Sequence, residues 1–568
     1  MATASTAEAN IVMHALTSIA TDGDPSTYEE AMNSPQRARW QAAIREECTS
    51  ILRNDTFAVE SESKPEPHIK PIGSKWVFKT KTNPDGSIRY KARLVIKGYM
   101  QPNWGDTYAP VGKLTTFRYL ISMAASHGLA IDHLDVVTAF LNPEVDDPEL
   151  YMEVPVGWDG GDHEITAGTV VRLKKALYGL KQAPRLWYGD INDFLLSLGF
   201  AQSKADPNLY IFGDITTGNT GASGRPLILL LLYVDDMSMA CPSNAAAAVK
   251  DIKAKLAAKY KITNLGATRQ FLGIEIQAGC GGEISLCQRA FINSVLKRFH
   301  MENAYGASTP MDVHVKLDLA KSRGEREVDP RDYQAIVGSL MYIALATRPD
   351  ILYAVSALSR YNSRPFTSHL TAAKRVLRYL KTTAHHRLHF GGPSGSDSGD
   401  GKLTGYTDSD WANDSKDRKS QGGHVFIIGG GAVSWQSRKQ DLVAASTLEA
   451  EYIACSEASR EARWLQQLQR DIEDQPDGHT GIDEPLPIYT NSQGALTHPT
   501  TGITKARTKY IDVCYHSSGD LHAWGIIKYD YVNTNDNPAD ILTKALPHEK
   551  HEKFTRAMGA RSWIGRQG

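Results

Sequence analysis

The chain has no excess of charge of either sign. Its 63 Lys and Arg stand against 64 Asp and Glu, a formal net charge of −1. A protein that holds nucleic acid needs cations to replace phosphate counterions, so any such surface here has to be local. Cysteine is scarce and scattered: Cys48, Cys241, Cys280, Cys287, Cys455 and Cys514 form no CxxC pair. That disfavours a disulfide framework and a zinc site, and suits a reducing, intracellular compartment. Long apolar runs are missing as well. The longest, 227–234, is far below the ~20 residues that span a bilayer, so no membrane partner is expected. No basic segment followed by an apolar core opens the chain, so no signal peptide is expected and the cytosol is the default location.

What remains is ordinary globular composition, 41% apolar and 22% charged over 568 residues, with room for three or four domains at ~150 residues each. Residues 1–27 are small and polar and read as a loose N-terminus. Residues 28–53 carry a helical apolar period through Ala31, Trp40, Ile44 and Ile51. Beyond Pro65, Pro67 and Pro71, segments 75–81 and 90–97 read as strands joined at Asn83-Pro84-Asp85-Gly86. Lys75, Lys79, Lys81, Arg89, Lys91, Arg93 and Lys97 make that hairpin strongly basic. A solvated surface face explains the same charge. Helices are expected over 114–128, 184–199, 245–260, 288–300, 332–346 and 366–382, and a strand over 131–137. The segment 391–401, GGPSGSDSGDG, is the clearest linker. After it, strands near 402–408, 423–435 and 486–490 and a helix over 446–470 suggest a small α/β domain.

The sharpest local feature is Tyr233-Val234-Asp235-Asp236 at the end of the aliphatic run. A strand buried on both faces explains the run. Adjacent carboxylates do not belong in a core: they repel, they want a cation, and hard oxygen ligands suit Mg²⁺. The pattern turns apolar again at Met237, as it would if a hairpin presented the acids at its tip. A surface turn is the alternative, because Asp is common there. Asp135 ends a second strand within LDVVTAFLN, 134–142. Carboxylates on separate strands are what two-metal phosphoryl transfer requires, with the ions ~3.5–4 Å apart. Alone, an Asp at 135 is more often a strand-end or helix-capping residue.

Six segments, in order, carry a resemblance. They are 70–99 (KPIGSKWVFKTKTNPDGSIRYKARLVIKGY), LDVVTAFLN, 173–188 (LKKALYGLKQAPRLWY), 230–236 (LLLYVDD), 271–276 (FLGIEI) and 337–355 (VGSLMYIALATRPDILYAV). Together they resemble the reverse transcriptase of copia-type retrotransposon Pol proteins. The resemblance implies a metal-binding triad of Asp135, Asp235 and Asp236, and a steric gate at Phe140. It implies that Lys79, Lys91 and Arg93 receive the triphosphate, that Tyr178 and Gly179 line the nucleotide pocket, and that Phe271, Leu272 and Gly273 belong to a primer grip. For Phe140 core packing is the plain alternative, for Tyr178-Gly179 a simple turn, and for 271–276 an amphipathic strand. Past the linker, 405–413 (GYTDSDWAN), 446–454 (STLEAEYIA), 488–496 (IYTNSQGAL), 505–516 (KARTKYIDVCYH) and 537–544 (NPADILTK) resemble the family's ribonuclease H region. By that resemblance Asp408, Glu451 and Asp540 are metal-binding catalytic acids, with Asp410, Glu449 and Asp512 as neighbours easily confused with them. Asn491 stands where the family usually has an aspartate. The site loses one negative charge there, and weak or absent cleavage is expected.

The implied fold is α+β and α/β multidomain: a right-hand polymerase of fingers, palm and thumb, then an RNase H-like domain. The expected divisions are 28–300 for fingers and palm, 301–390 for thumb and connection, 391–401 for the linker, 402–547 for the RNase H-like domain and 548–568 for a C-terminal tail. The implied cofactor is Mg²⁺, two ions at the polymerase site, with Mn²⁺ as an alternative. The implied partners are an RNA template, a DNA primer, an RNA–DNA hybrid and dNTPs. Family context adds the nucleus and virus-like particles to the cytosol as locations. Two rivals stand beside this reading: a catalytically inactive nucleic-acid-binding remnant, and an unrelated metal-dependent phosphohydrolase.

Overall fold

The computed structural model describes residues 11–12, 23–59, 70–82, 87–101, 105–160, 165–213, 226–317, 324–391, 401–414, 416–473, 484–496 and 517–562. Within them the strands form three five-stranded sheets and one six-stranded sheet.

The basic hairpin is longer than its charge pattern suggested. Strands Ile72–Thr82 and Ile88–Ile96 pair antiparallel with Lys79 opposite Lys91. Strand side chains alternate faces. Trp76, Phe78, Ala92 and Leu94 are therefore buried against Trp40, Ile44, Cys48 and Ile51 of the Arg37–Arg53 helix, while Lys75 stays exposed. The turn expected at 83–86 lies outside the described residues.

The six-stranded sheet explains the aliphatic run. All six residues of strand Ile228–Tyr233 are buried. Ile228, Leu230 and Leu232 pack with Trp187, Ile191 and Ile252. Leu229, Leu231 and Tyr233 pack on the other face with Phe117 and Leu120 of helix Leu114–His127. An apolar layer on each face removes the need for polar alternation. The chain reverses at Val234-Asp235 and returns as strand Asp236–Cys241, which pairs with both Ile228–Tyr233 and Ala130–Val136.

A third sheet runs from the Gln270–Phe271 and Ile274–Ala278 hairpin through Ile284–Cys287 and His386–Phe390 to Ala560–Ser562. The segment expected as a tail, 548–568, instead supplies helix His548–Ala557 and this last strand. Three residues are too few for periodicity to reveal.

The fourth sheet contains strands Thr404–Asp410, Gln421–Ile428, Gly431–Lys439, Leu486–Thr490 and Ile527–Tyr531. In sequence order its strands lie 3-2-1-4-5, with the last two joining in parallel. The long helix Thr447–Glu473 packs on it. This unit is bonded to the six-stranded sheet's supports. Buried Arg118 donates to the Val433 carbonyl at 2.7 Å and lies 3.9 Å over the Trp435 ring. Trp464 Nε1 donates to the Ala205 carbonyl at 2.8 Å. Of the linker, residues 392–400 lie outside the described residues. Among the described residues no helix is long and apolar enough to cross a membrane.

Candidate nucleotidyl-transfer and nuclease centres

The strand register brings the three N-terminal acids together. Asp236 is directly opposite Asp135 on neighbouring antiparallel strands, and the Val136 amide donates to the Asp235 carbonyl at 2.9 Å. Asp235 is exposed at the turn. The turn is strained, because Val234 has φ +58° and a β-branched residue seldom adopts that region. Trp187 holds it: its Nε1 donates to the Val234 carbonyl at 2.6 Å. Asp236 Oδ1 is 2.9 Å from His133 Nε2, and the His133 ring meets Phe271 edge-on at 5.7 Å.

The aromatic pair expected in the nucleotide pocket is also assembled. The Phe140 and Tyr178 rings meet edge to face at 5.4 Å, and the Arg93 guanidinium lies 4.8 Å over Tyr178. Burial raises the Tyr178 phenol well above its ordinary range, against the pull of Arg93. Gly179 is required by the backbone. Its φ is +92°, and a Cβ would lie 2.2 Å from the Ile96 carbonyl oxygen. Only a glycine lets this segment dock on the hairpin, where the Ile96 amide donates to the Tyr178 carbonyl at 2.8 Å.

Arg93 is less free than its sequence position implied. It pairs with buried Glu47 at 2.8 Å. Burial raises the Glu47 carboxyl, and Arg93 opposes that shift. Lys91 and Arg93 line a cavity of about 670 Å³ that reaches Val137 and Thr138, just beyond Asp135, and also includes Arg45, Arg53 and Lys261. Leu272 and Gly273 have φ +52° and +75°, the geometry of a tight two-residue hairpin turn. The Leu272 carbonyl accepts from the Tyr342 hydroxyl. Phe271 is fully buried and stacks on Phe117 at 4.9 Å.

The C-terminal acids also meet, but ammonium, amide and hydroxyl donors already hold the oxygens of Asp408 and Asp540. Asp408 and Asp540 are both buried. Asn491 Nδ2 donates to Asp408 Oδ1 at 3.0 Å, and the Thr543 hydroxyl donates to Oδ2. Lys544 Nζ sits 2.7 Å from Asp540 Oδ1 and 3.7 Å from Asp408 Oδ2. Lys550 Nζ sits 2.6 Å from Asp540 Oδ2. Burial pushes the Asp408 carboxyl up, Lys544 opposes this, and Asp540 adds to it. Burial and the charge of Asp408 push Glu451 up as well, and its buried Oε2 has no hydrogen-bond partner. Asp408 and Asp540 hold Lys544 at about 12 despite its burial. Glu449, one of the easily confused neighbours, serves the backbone instead. Its Oε2 caps the long helix by accepting from the Ala445 amide at 2.7 Å. Asp410 is raised by burial, with Lys544 opposing. Asp512 lies outside the described residues.

Among the described residues no group of three or more His, Cys, Asp or Glu side chains is arranged to hold a metal ion. The two centres nevertheless differ in fit. The N-terminal one offers hard carboxylate oxygens from adjacent strands at a turn open to solvent, which suits Mg²⁺. The C-terminal one offers Asp540 oxygens already paired with two ammonium groups and Asp408 oxygens held by amide and hydroxyl donors, and leaves Glu451 Oε2 unpartnered. That donor set does not fit two divalent ions.

A family model described as "Reverse transcriptase (RNA-dependent DNA polymerase)" matches residues 54–313. The Retrovirus-related Pol polyprotein from transposon TNT 1-94 of Nicotiana tabacum is 37% identical over 96% of this chain and 39% of its own length. A transposon Ty5-1 protein of Saccharomyces cerevisiae is 34% identical over its entire length and 58% of this chain. The chain belongs to the copia-type retrotransposon Pol family. It spans about two fifths of the tobacco polyprotein. A crystal structure of prototype foamy virus protease-reverse transcriptase shares 11% identity over 90% of this chain and 55% of its own, at a TM-score of 0.25, too weak a likeness to carry an argument.

Family membership sets the unrelated phosphohydrolase aside. The Pol sequence still concealed several partners. Glu47 was detectable as an acid on the apolar stripe of Trp40, Ile44, Cys48 and Ile51, where a charge needs a buried partner. His133, Trp187, Lys544 and Lys550 gave no comparable signal, because their contacts arise from tertiary packing.

Proposed function

We propose that this Pol chain is an RNA-directed DNA polymerase that extends a DNA primer on an RNA template. The observation that carries the reading is the register of Asp236 opposite Asp135, with Asp235 on the solvent side of the same turn. In this reading the six-stranded sheet is the palm, the basic hairpin belongs to the fingers, and the helices over 330–382 belong to the thumb and connection.

Asp135, Asp235 and Asp236 would hold Mg²⁺. When bound, such ions activate a primer hydroxyl and neutralise charge on the leaving pyrophosphate. The chain's own residues then set geometry. The strained Val234 turn, clamped by Trp187, fixes where Asp235 projects. His133 orients Asp236 through Oδ1. The cavity beneath the basic hairpin suits a dNTP triphosphate, with Lys91 as a point charge and Arg93 shared with Glu47. In this reading Phe140 is the ring that crowds a ribose 2′-hydroxyl. The hairpin at Phe271, Leu272 and Gly273 positions the primer end, and its contact with His133 ties it to the acids.

The fourth sheet, with its 3-2-1-4-5 order and long helix, is the RNase H-like unit of this proposal. Asn491, Lys544 and Lys550 favour impaired cleavage of an RNA–DNA hybrid. Primer extension by the purified chain on an RNA template, with Mg²⁺ and dNTPs, tests the polymerase reading. Template-dependent DNA product supports it; hydrolysis alone, or no product under conditions where the chain is folded, overturns it.

A further inference from the structure

A second groove lies apart from both acidic centres. It is a cavity of about 660 Å³ between the fourth sheet, the Gly429-Gly430 turn and the C-terminal helix and strand. Tyr406 and Tyr489 are opposite each other in parallel register, and their rings stack at 5.3 Å with 23° between planes. Both tyrosines are half-buried, so the ring pair forms part of the cavity wall. Lys402, Lys528, Arg556 and Arg561 line it beside the carboxylate Glu484, and each of the four is ion-paired. Lys402 pairs with Glu484 at 2.7 Å, both largely exposed. Lys528 pairs with Asp530 at 3.3 Å, Arg561 with Glu283 at 3.5 Å, and Arg556 with Glu552. The pairs of Lys402, Lys528 and Arg556 are exposed and weak, so phosphate can replace their carboxylates, whereas Glu283 is mostly buried. The glycine floor brings no side chains, so a flat ligand can approach the backbone.

An aromatic platform inside a cationic rim is the chemistry that holds single-stranded nucleic acid without regard to sequence: bases stack on the rings and phosphates meet the cations. We infer that this groove binds a single-stranded segment of RNA or DNA. Tyr406 is two residues before Asp408 on one strand, so both side chains project to the same face of the sheet. The groove is a tether that this family's polymerase reading does not require.

The test uses the full chain, a fluorescent deoxythymidine oligomer of about eight nucleotides, a length within the usual footprint of such sites, and free dTMP as a separate arm. EDTA suppresses catalysis. A photoreactive thymine analogue in the oligomer maps the contact. The expected result is crosslinking to the peptides carrying Tyr406 and Tyr489. Tyr489→Ala, and separately Lys402→Glu with Lys528→Glu, should weaken oligomer binding about fivefold or more. Tyr489→Phe, which keeps the stack, should bind as wild type. Binding of dTMP alone would narrow the ligand to a mononucleotide and overturn the strand assignment. Crosslinks confined to the basic hairpin, with unchanged affinity in the charge-reversed variant, would overturn the groove altogether. Primer extension should persist in all these variants, which separates failure here from failure of the polymerase reading.

Discussion

Asn491 donates its amide hydrogen to Asp408 Oδ1 across 3.0 Å. An aspartate at 491 could not donate. It would face Asp408 as a second anion and raise the site's demand for a cation. Asn491→Asp should therefore increase Mg²⁺-dependent cleavage of a labelled RNA–DNA hybrid above a weak or absent wild-type rate. Full-rate cleavage by the wild type would remove the basis for this expectation.

At the other centre, Asp235→Asn removes a ligand charge where phosphate charge shifts during the reaction. Metal-ion stabilisation of that charge is worth several kcal/mol, so extension should fall on the order of a hundredfold or more. Steady-state incorporation of a single dNTP measures it. A mutant that extends at the wild-type rate contradicts the metal assignment.

Gly179→Ala would put a methyl group against the Ile96 carbonyl oxygen at a backbone angle that disfavours alanine. Strain at such an angle costs about 1–3 kcal/mol before the clash is counted. The variant should melt at a lower temperature than wild type and show a raised KM for dNTP, because the hairpin loses its seat. An unchanged melting curve would mean that the docking is dispensable.

Arg348 and Asp350 form an ion pair at 2.7 Å with both side chains essentially inaccessible. Asp350 is buried, yet Arg348 holds its carboxyl well below the usual range. Arg348→Leu leaves that carboxylate uncompensated and should destabilise the fold by about 3–5 kcal/mol. Replacing both residues with apolar side chains should recover much of that loss. Chemical denaturation of the single and double variants measures both effects.

The raised carboxyls of Asp408 and Glu451 make stability depend on pH in a fixed direction. The folded chain holds protons that the unfolded chain releases. The stability they contribute is fully present below the ordinary carboxylate range and is lost as pH rises through their raised values. Between about pH 5 and about pH 8 the melting temperature should fall in the wild type and fall less in Asp408→Asn. Equal slopes would show that burial of these acids is not felt in the unfolding equilibrium.

Local patterns made the principal elements and acids readable from sequence. The apolar run around Asp235-Asp236 works as a pattern because each face of one strand has its own core. Helix Pro330–Ala346 announces itself through Asp329 at its cap and Pro330 in its first turn. What could not be read depends on residues far apart in the chain meeting in space. Lys544 and Lys550 are ordinary surface letters until the fold sets them on Asp540. The strand Ala560–Ser562 is too short to have a period. Even the tyrosine pair at 406 and 489 becomes visible only once two strands are known to run side by side.

That last strand also affects the order of biosynthesis. The sheet that begins at the Phe271 turn receives its final edge from residues 560–562, made nearly three hundred positions later. During translation the His386–Phe390 edge stays open, and exposed edges invite pairing with other chains. A nascent chain stalled or clipped before residue 560 would retain its acids and lose the strand that covers this edge. Residues 560–562 thus cover an edge along which newly made copies could otherwise associate.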